Sequence, residues 1–285
     1  EESYKALEAS MAWSKAEMIT PDKFRERISP YFSKSNTSYI AALLTDECWQ
    51  ATPGKCVGLL RDIAIAKGGE FLDDCKVLDA KRDGSKTIVL TKLHNGQYVE
   101  FVADHFVNAM GYGAGEIADK MGINTGMYPV RHQALITSRL PMLGVNGDNL
   151  NMLIDRRRIG DFSAVYGQQL KHTGQFIACA SPAHDSTRIG KELKLNTEEF
   201  LQVTCNMLKE GISELAGGEI QAIWSGYYVE PRYFIDPDLG LFAGLQGHGF
   251  MFAQYLAKLY VDYLLGRPVP DFFKELKMDG NGLAE

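Results

Sequence analysis

No apolar run in the 285 residues approaches the roughly 18 needed to cross a bilayer, so no membrane-spanning helix is expected. Basic charge is also short. Thirty Lys and Arg stand against 36 Asp and Glu, and the formal net charge of −6 leaves no electrostatic footprint for nucleic acid. Cysteine is sparse and scattered. The five (Cys48, Cys56, Cys75, Cys179 and Cys205) are odd in number and contain no C-x-x-C. That usage fits reduced thiols in a cytoplasmic protein and offers no zinc framework. The G-x-S-x-G of serine hydrolases is missing, and no glycine loop is followed by Lys-Ser or Lys-Thr, which argues against nucleotide-triphosphatase chemistry. There is no internal repeat and no low-complexity linker.

What remains is ordinary globular material, 45% hydrophobic and 23% charged, long enough for one large domain or two interleaved ones. The most informative stretch is Gly244-Leu245-Gln246-Gly247-His248-Gly249-Phe250-Met251. Leu241 to Ala243 before it read as a short buried strand. After it Phe252, Leu256, Leu259, Tyr260 and Tyr263 recur at helical spacing until Gly266 and Pro268. A strand thus runs through a glycine loop into a helix. Free N–H groups at such a helix start favour negative charge, and glycines admit a flat or anionic ligand close to the backbone. A packed strand–turn–helix corner is the plain alternative.

Earlier segments are read in the same way. Tyr4, Leu7 and Met11 suggest a short helix. Thr20-Pro21-Asp22 is a helix start with Phe24 and Ile28 facing inward. A strand is expected over 38–44. A second helix follows Thr52-Pro53 with Val57, Leu60 and Ala64 inside and Gly68-Gly69 at its end. Short strands are expected at 70–72 and 76–80, and Asn95-Gly96 marks a hairpin between 87–93 and 97–102. Phe106 to Met110 reads as a buried strand ending in Gly111-Tyr112-Gly113-Ala114-Gly115, followed by helical spacing at Ile117, Ala118 and Met121. That cluster misses the dinucleotide fingerprint by one position, since Glu116 stands where its third glycine belongs. Strands are expected from Tyr128, over 152–154, 161–166 and 175–180, and over 221–224, with a helix over 197–208. Arg156, Arg157 and Arg158 read as a solvated basic turn.

Three pieces together resemble the D-amino-acid-oxidase-like (DAO) family of FAD-dependent oxidoreductases, which includes sarcosine, glycine and proline-type oxidases and dehydrogenases. Phe106-Val107-Asn108-Ala109-Met110-Gly111 resembles its "vVNAaG" strand. Tyr128-Pro129-Val130-Arg131-His132-Gln133 resembles its "P-x-R-x-Q" strand. Tyr233 to Asp236 and Gly247-His248-Gly249-Phe250 resemble its closing "D…GxxGHGF" segment. The resemblance implies an α/β and α+β chain: a discontinuous Rossmann-like FAD-binding domain interleaved with an antiparallel-sheet substrate domain. The expected boundaries are 1–45 for the start of the substrate domain, 46–125 for FAD-binding residues, 126–225 for the main substrate domain and 226–285 for the closing FAD-binding segment. It further implies oxidation of a small amine or amino acid by hydride transfer to FAD. Flavin contacts are expected at Val77, Ala109, Met110, Gly111, Gly244, Leu245, Gly247, His248, Gly249, Phe250 and Met251. Tyr228 and Arg232 are expected at the substrate, because a guanidinium and a phenol together suit a carboxylate.

The chain departs from the family pattern in three places. Met251 stands where sarcosine-oxidase-type members carry lysine. No cysteine lies in Trp224-Ser225-Gly226-Tyr227, so FAD is expected to be non-covalent. The family's opening strand–GxGxxG–helix unit is not recognisable, so an N-terminal segment or partner subunit is expected to supply it. No general base is identifiable. Two other readings stay open: a non-catalytic or partial subunit of a flavoenzyme complex, and a nicotinamide-dependent dehydrogenase using the Gly111 cluster.

Overall fold

A computed structural model describes residues 16–34, 39, 41–45, 50–160, 162–182, 198–230 and 233–277. In chain order the elements are β1 (Ala16–Ile19), α1 (Pro21–Arg27), β2 (Ala42–Thr45), α2 (Pro53–Ala66), β3 (Lys76–Asp83), β4 (Lys86–Lys92), β5 (Tyr98–Ala103), α3 (Ala114–Lys120) and β6 (Tyr128–Arg139). They continue with β7 (Leu153–Asp155), β8 (Phe162–Gln169), β9 (Gln175–Pro182), α4 (Glu198–Gly211), β10 (Ile220–Glu230), β11 (Phe234–Asp236), β12 (Leu241–Ala243), α5 (Gly249–Leu264) and α6 (Asp271–Glu275). Antiparallel sheets and helices mix, as the expected fold class requires. The expected helix near Tyr4, Leu7 and Met11 lies outside the described residues. No helix among the described residues is long and apolar enough to cross a membrane, and none of their acidic, His or Cys side chains group as a metal site.

The chain divides into two compact units. The first comprises 1–50, 131–188 and 192–226; the second comprises 51–130, 189–191 and 227–285. The first is built on a five-stranded sheet in the order β10-β6-β9-β8-β7, with antiparallel pairing at β6·β9, β8·β9 and β7·β8. Its core joins alternate residues of these strands (Leu135, Phe162, Val165, Phe176, Ala178) to Phe24 and Ile28 of α1 and to Phe200 and Met207 of α4. Thr20 caps α1 as its sequence position predicts, accepting a hydrogen bond from the Lys23 N–H at 3.3 Å.

One buried side chain ties the loops of this unit to its sheet. Oε1 of Gln169 accepts from the N–H of Leu143 (3.0 Å) and of Leu150 (3.2 Å), while Nε2 donates to the carbonyls of Pro141 (2.7 Å) and Gly174 (3.1 Å). A second knot corrects the expectation of a solvated arginine turn for Arg157 alone; Arg156 and Arg158 are exposed as expected. Arg157 donates to Asp155 (2.7 Å), Glu210 (2.7 Å) and the Tyr39 hydroxyl (2.6 Å), and its guanidinium lies over the Tyr39 ring. The Tyr39 hydroxyl in turn donates to Asp155 at 2.7 Å. The carboxylate across the chain is what turns Arg157 inward, and local sequence does not show it.

The second unit holds the three-stranded meander β3-β4-β5 and the hairpin β11-β12. Asn95-Gly96 makes the β4–β5 turn where expected. Three expectations are corrected here. Residues 70–72 form no strand, and Phe71 and Leu72 are exposed without a paired neighbour among the described strands. Phe106 to Met110 is not a buried strand. It makes one parallel bridge, Asn108 to Leu241, and only Asn108 is buried, because three-residue β12 is its one partner among the described strands. Val57 and Leu60 of α2 are not inside: Val57, Leu59, Leu60, Ile63 and Ile65 are 44–63% exposed, since no described element packs over this helix.

Gln169→Leu strands two buried donors, the Leu143 and Leu150 N–H groups, and takes a donor from the Pro141 carbonyl; Gly174 keeps the Leu140 N–H. The substitution is expected to lower stability by at least about 2 kcal/mol, read as a fall in thermal or denaturant midpoint. At the other knot, burial pushes the Asp155 carboxyl up, but hydrogen bonds from Arg157 and Tyr39 outweigh this and hold it below its ordinary value. A depressed carboxylate contributes stability that is fully present above its unfolded pKa of about 3.9 and is lost as pH falls through the folded value. Arg157→Met should therefore cost roughly 1–3 kcal/mol near neutrality. The gap to the parent should narrow as the medium is acidified below about pH 4; a gap independent of pH would exclude this origin.

Candidate functional site

Within the second unit two segments run side by side. The Asn108 N–H donates to the Gly240 carbonyl at 2.8 Å, and the Phe242 N–H donates to the Asn108 carbonyl at 3.0 Å. The bridge is parallel, so both segments leave it in the same direction. Three residues on, each turns on a glycine with positive φ, Gly111 at +54° and Gly244 at +72°. Each then enters a short 3₁₀ turn (Gly111–Gly113 and Gln246–His248) and a helix, α3 or α5. Two helix N-termini therefore open at one end of the bridge. This is the carboxyl end of parallel strands, where α/β folds place ligands.

Asn108 fixes this arrangement. Its carboxamide Nδ2 donates to the Ala114 carbonyl at 2.8 Å, and Oδ1 accepts from the Met110 N–H at 3.4 Å, so one buried side chain shapes the Gly111 turn from inside. Gly240 has to be a glycine for the pairing to exist, because a Cβ there would lie 2.4 Å from the Phe106 carbonyl oxygen.

The start of α5 is chemically bare. His248 is its N-cap, no side chain caps the first turn, and that turn contains no acidic residue. The first-turn N–H groups have no acceptor inside the helix, and the local dipole favours negative charge. Phe250, Met251 and Phe252 are all exposed beside it. For Phe252 this departs from the helical stripe, which is kept by Leu256, Leu259 and Tyr260, with Tyr263 packed beside them. The structure thus sets flat apolar side chains next to uncapped N–H groups, a donor set that fits a ring system with an electron-rich edge.

The other predicted residues fall as follows. Gly244 is buried, Leu245 and Gly249 are half-buried, and Gly247 and His248 are exposed. Ala109 and Gly111 are exposed, and a Cβ built on Gly111 meets nothing within 4 Å, so the space beside that backbone is open. Val77 and Met110 come together, packed on the cluster of Ala80, Val89 and Ile117. Tyr228 lies against the glycine loop: a Cβ on Gly247 would stand 2.8 Å from the Tyr228 ring. Arg232 lies outside the described residues. Aromatic side chains complete the rim. Tyr112 in the Gly111 turn meets Tyr227, ring centroids 5.2 Å apart, and the Tyr233 hydroxyl is 3.1 Å from His248 Nδ1. Tyr112 is the residue that sequence reading passed over; its place inside the glycine cluster was the available signal. In the first unit a cavity of about 310 Å³ is lined by Leu135, Phe176, Cys205 and Leu208 with Lys209 at its edge, and it includes none of the predicted site residues.

Gly247→Ala should force the Tyr228 ring aside. A loss of roughly 1–3 kcal/mol is expected from such overpacking, measured by chemical denaturation. Adding Tyr228→Ala should recover much of that loss, giving a coupling of about 1 kcal/mol in a double-mutant cycle. Additive effects would mean that the loop and ring do not touch.

No curated protein matches the sequence. Among solved structures the fold is similar to L-proline dehydrogenase from P. horikoshii at 21% identity and a TM-score of 0.75, with 97% of this chain and 72% of that chain covered. It is also similar to glycine oxidase from Geobacillus kaustophilus at 17% identity and a TM-score of 0.73, over 95% of this chain and 69% of that one. Glycine oxidase from Bacillus cereus gives 16% identity and a TM-score of 0.71, over 96% and 72%. Residues 1–263 match the family described as "FAD dependent oxidoreductase" (DAO), and the chain belongs to that family of FAD-dependent flavoproteins.

Proposed function

We propose that the protein oxidises a small amine or amino acid at a C–H beside nitrogen, with FAD held non-covalently at the two glycine turns of the second unit. The observation that carries the reading is the uncapped start of the 16-residue helix α5, opening beside the Gly111 turn at one end of the Asn108–Leu241 bridge. The flavin supplies the two-electron chemistry. The chain's own residues do the rest. N–H groups of the first turn of α5 would offer fixed donors to the pyrimidine edge, where negative charge gathers on reduction, with no reorganisation needed. Gly111 leaves its backbone open to close approach, and Tyr112, Tyr227 and Phe250 would shield the ring from water. Tyr228, seated against Gly247, is the described residue best placed to touch substrate. Arg232 would complete a carboxylate clamp with it. The solved structures named above act on L-proline and glycine, as their names say, which favours the same donor class here.

A second polypeptide segment belongs to this proposal. Helix α2 carries five large apolar residues that no described element covers. A helix apolar on several faces is normally buried. We take its cover to be the strand–glycine loop–helix that anchors the AMP half of FAD, provided in cis or by a partner.

The purified protein is expected to show the absorption bands of oxidised flavin, to lose them on denaturation without residual protein-bound colour, and to bleach anaerobically with a small amino acid or secondary amine. Arg232→Met should raise KM for a carboxylate substrate roughly tenfold or more. Bleaching by a nicotinamide but by no amine would overturn the reading. If the 285-residue chain retains FAD tightly without any partner, the covering segment is not needed.

A further inference from the structure

His248 stands at the N-cap of α5 and is held on two sides. Its ring stacks on Phe252, one helical turn on, with centroids 5.8 Å apart and planes 24° apart. Its Nδ1 lies 3.1 Å from the Tyr233 hydroxyl. A phenol is a good donor and a poor acceptor, because its lone pair is shared with the ring; a neutral imidazole nitrogen is a strong acceptor. The Tyr233 hydroxyl therefore donates to Nδ1, and the ring proton is left on Nε2. Burial also pushes the Tyr233 phenol up, so it keeps the proton that it donates.

We propose that Tyr233 is a positioning residue that locks His248 in its Nε2–H tautomer, so that the ring adds one side-chain donor to the bare N–H groups at the start of α5. The recipient is an anionic oxygen, and this part rests on the flavin reading given above. Two sources share that chemistry: the pyrimidine edge of reduced flavin and the carboxylate of an amino-acid substrate. Without Tyr233 the ring would divide between tautomers, and the Nδ1–H fraction would present a lone pair to the anion in place of a donor. Stacking on Phe252 fixes the ring plane but cannot choose the tautomer.

The primary measurement is ¹⁵N NMR of histidine-labelled full-length protein, at a pH where the ring is neutral, for the parent and for Tyr233→Phe. The parent His248 is expected to show a protonated Nε2 and an unprotonated Nδ1, and the variant a mixture. On the flavin-loaded protein the source is then read. If flavin is the recipient, Tyr233→Phe shifts the two-electron reduction equilibrium about twofold, a fall of ~9 mV in midpoint potential, with KM little changed. If substrate is the recipient, KM rises about twofold and the potential stays. In a His248→Gln background, where an amide N–H replaces the ring donor, Tyr233→Phe should change neither quantity; a merely packing tyrosine would act equally in both backgrounds. A parent ring already mixed, or a tautomer indifferent to Tyr233, overturns the proposal. So does a tautomer change that moves neither potential nor KM. Protein that binds no flavin but shows the tautomer lock would sink the functional reading alone, since the NMR result does not need the cofactor.

Discussion

The second unit depends on one buried carboxamide. Asn108 spends its backbone N–H and carbonyl on the β12 side and its side chain on the Gly111 turn, so a single residue both joins two segments and shapes the loop that leaves one of them. A buried amide with these groups satisfied fixes direction as well as position, because each donor and acceptor has only one complementary place. The parallel sense of the bridge is carried by the backbone pair, Asn108 N–H to Gly240 and Phe242 N–H to Asn108. From that sense comes the convergence of two glycine turns and two helix starts. An apolar residue at 108 could fill the volume but could not set the turn.

Electrostatics then give the convergence its chemical character. Many helix starts carry a capping hydroxyl or an acidic first turn, as α1 does with Thr20 and Asp22. Helix α5 has neither, and carries an imidazole at that position. No side chain of the helix or its N-cap takes up these N–H groups. Surrounding them with exposed Phe250, Met251 and Phe252 makes the same spot attractive to a flat apolar ring with one anionic edge. Both features are needed. The dipole alone would suit any anion, and the apolar side chains alone would suit any greasy surface.

Local chemistry was legible in the sequence wherever neighbours in the chain decide the outcome. The Thr20 cap, the Asn95-Gly96 turn, the glycine loop and the start of α5 need only their own residues. The alternation that builds β6, β8 and β9 is likewise local. Outcomes set by distant partners were hidden. Arg157 reads as one of three exposed arginines until Tyr39 and Glu210 are brought to it and to its near neighbour Asp155. Phe252 keeps helical spacing with Leu256 and Leu259, but its neighbour is His248, not the core. The vVNA-like stretch of 106–110 reads as a buried strand on composition, whereas its structure is decided by how little of β12 there is to pair with. In the candidate site the glycine positions could be read from the sequence. The aromatic pairs that give them walls could not, because they join Tyr112 to Tyr227 and Tyr233 to His248 across gaps in the sequence.

Helix α2 carries this reasoning one step further. Its periodic apolar residues, Val57, Leu60 and Ala64, were expected to face a core, and the exposure of Val57 and Leu60 says only that the described residues bring none to them. Leu59, Ile63 and Ile65 are exposed as well, so the apolar surface is wider than a single amphipathic stripe. Burying a side chain of this kind is worth about 1.5–3 kcal/mol, so five together represent a large unused stabilisation for any element that can lie over them. A helix apolar over so wide an arc is suited to a place between layers, with a sheet on one side and a second element on the other. The DAO-family neighbours extend over about 28–31% of their length beyond what this chain matches, which is ample for such a layer. On the reading proposed above, cofactor retention and the packing of α2 become one question, because a single element would bury the helix and hold the far end of the flavin nucleotide.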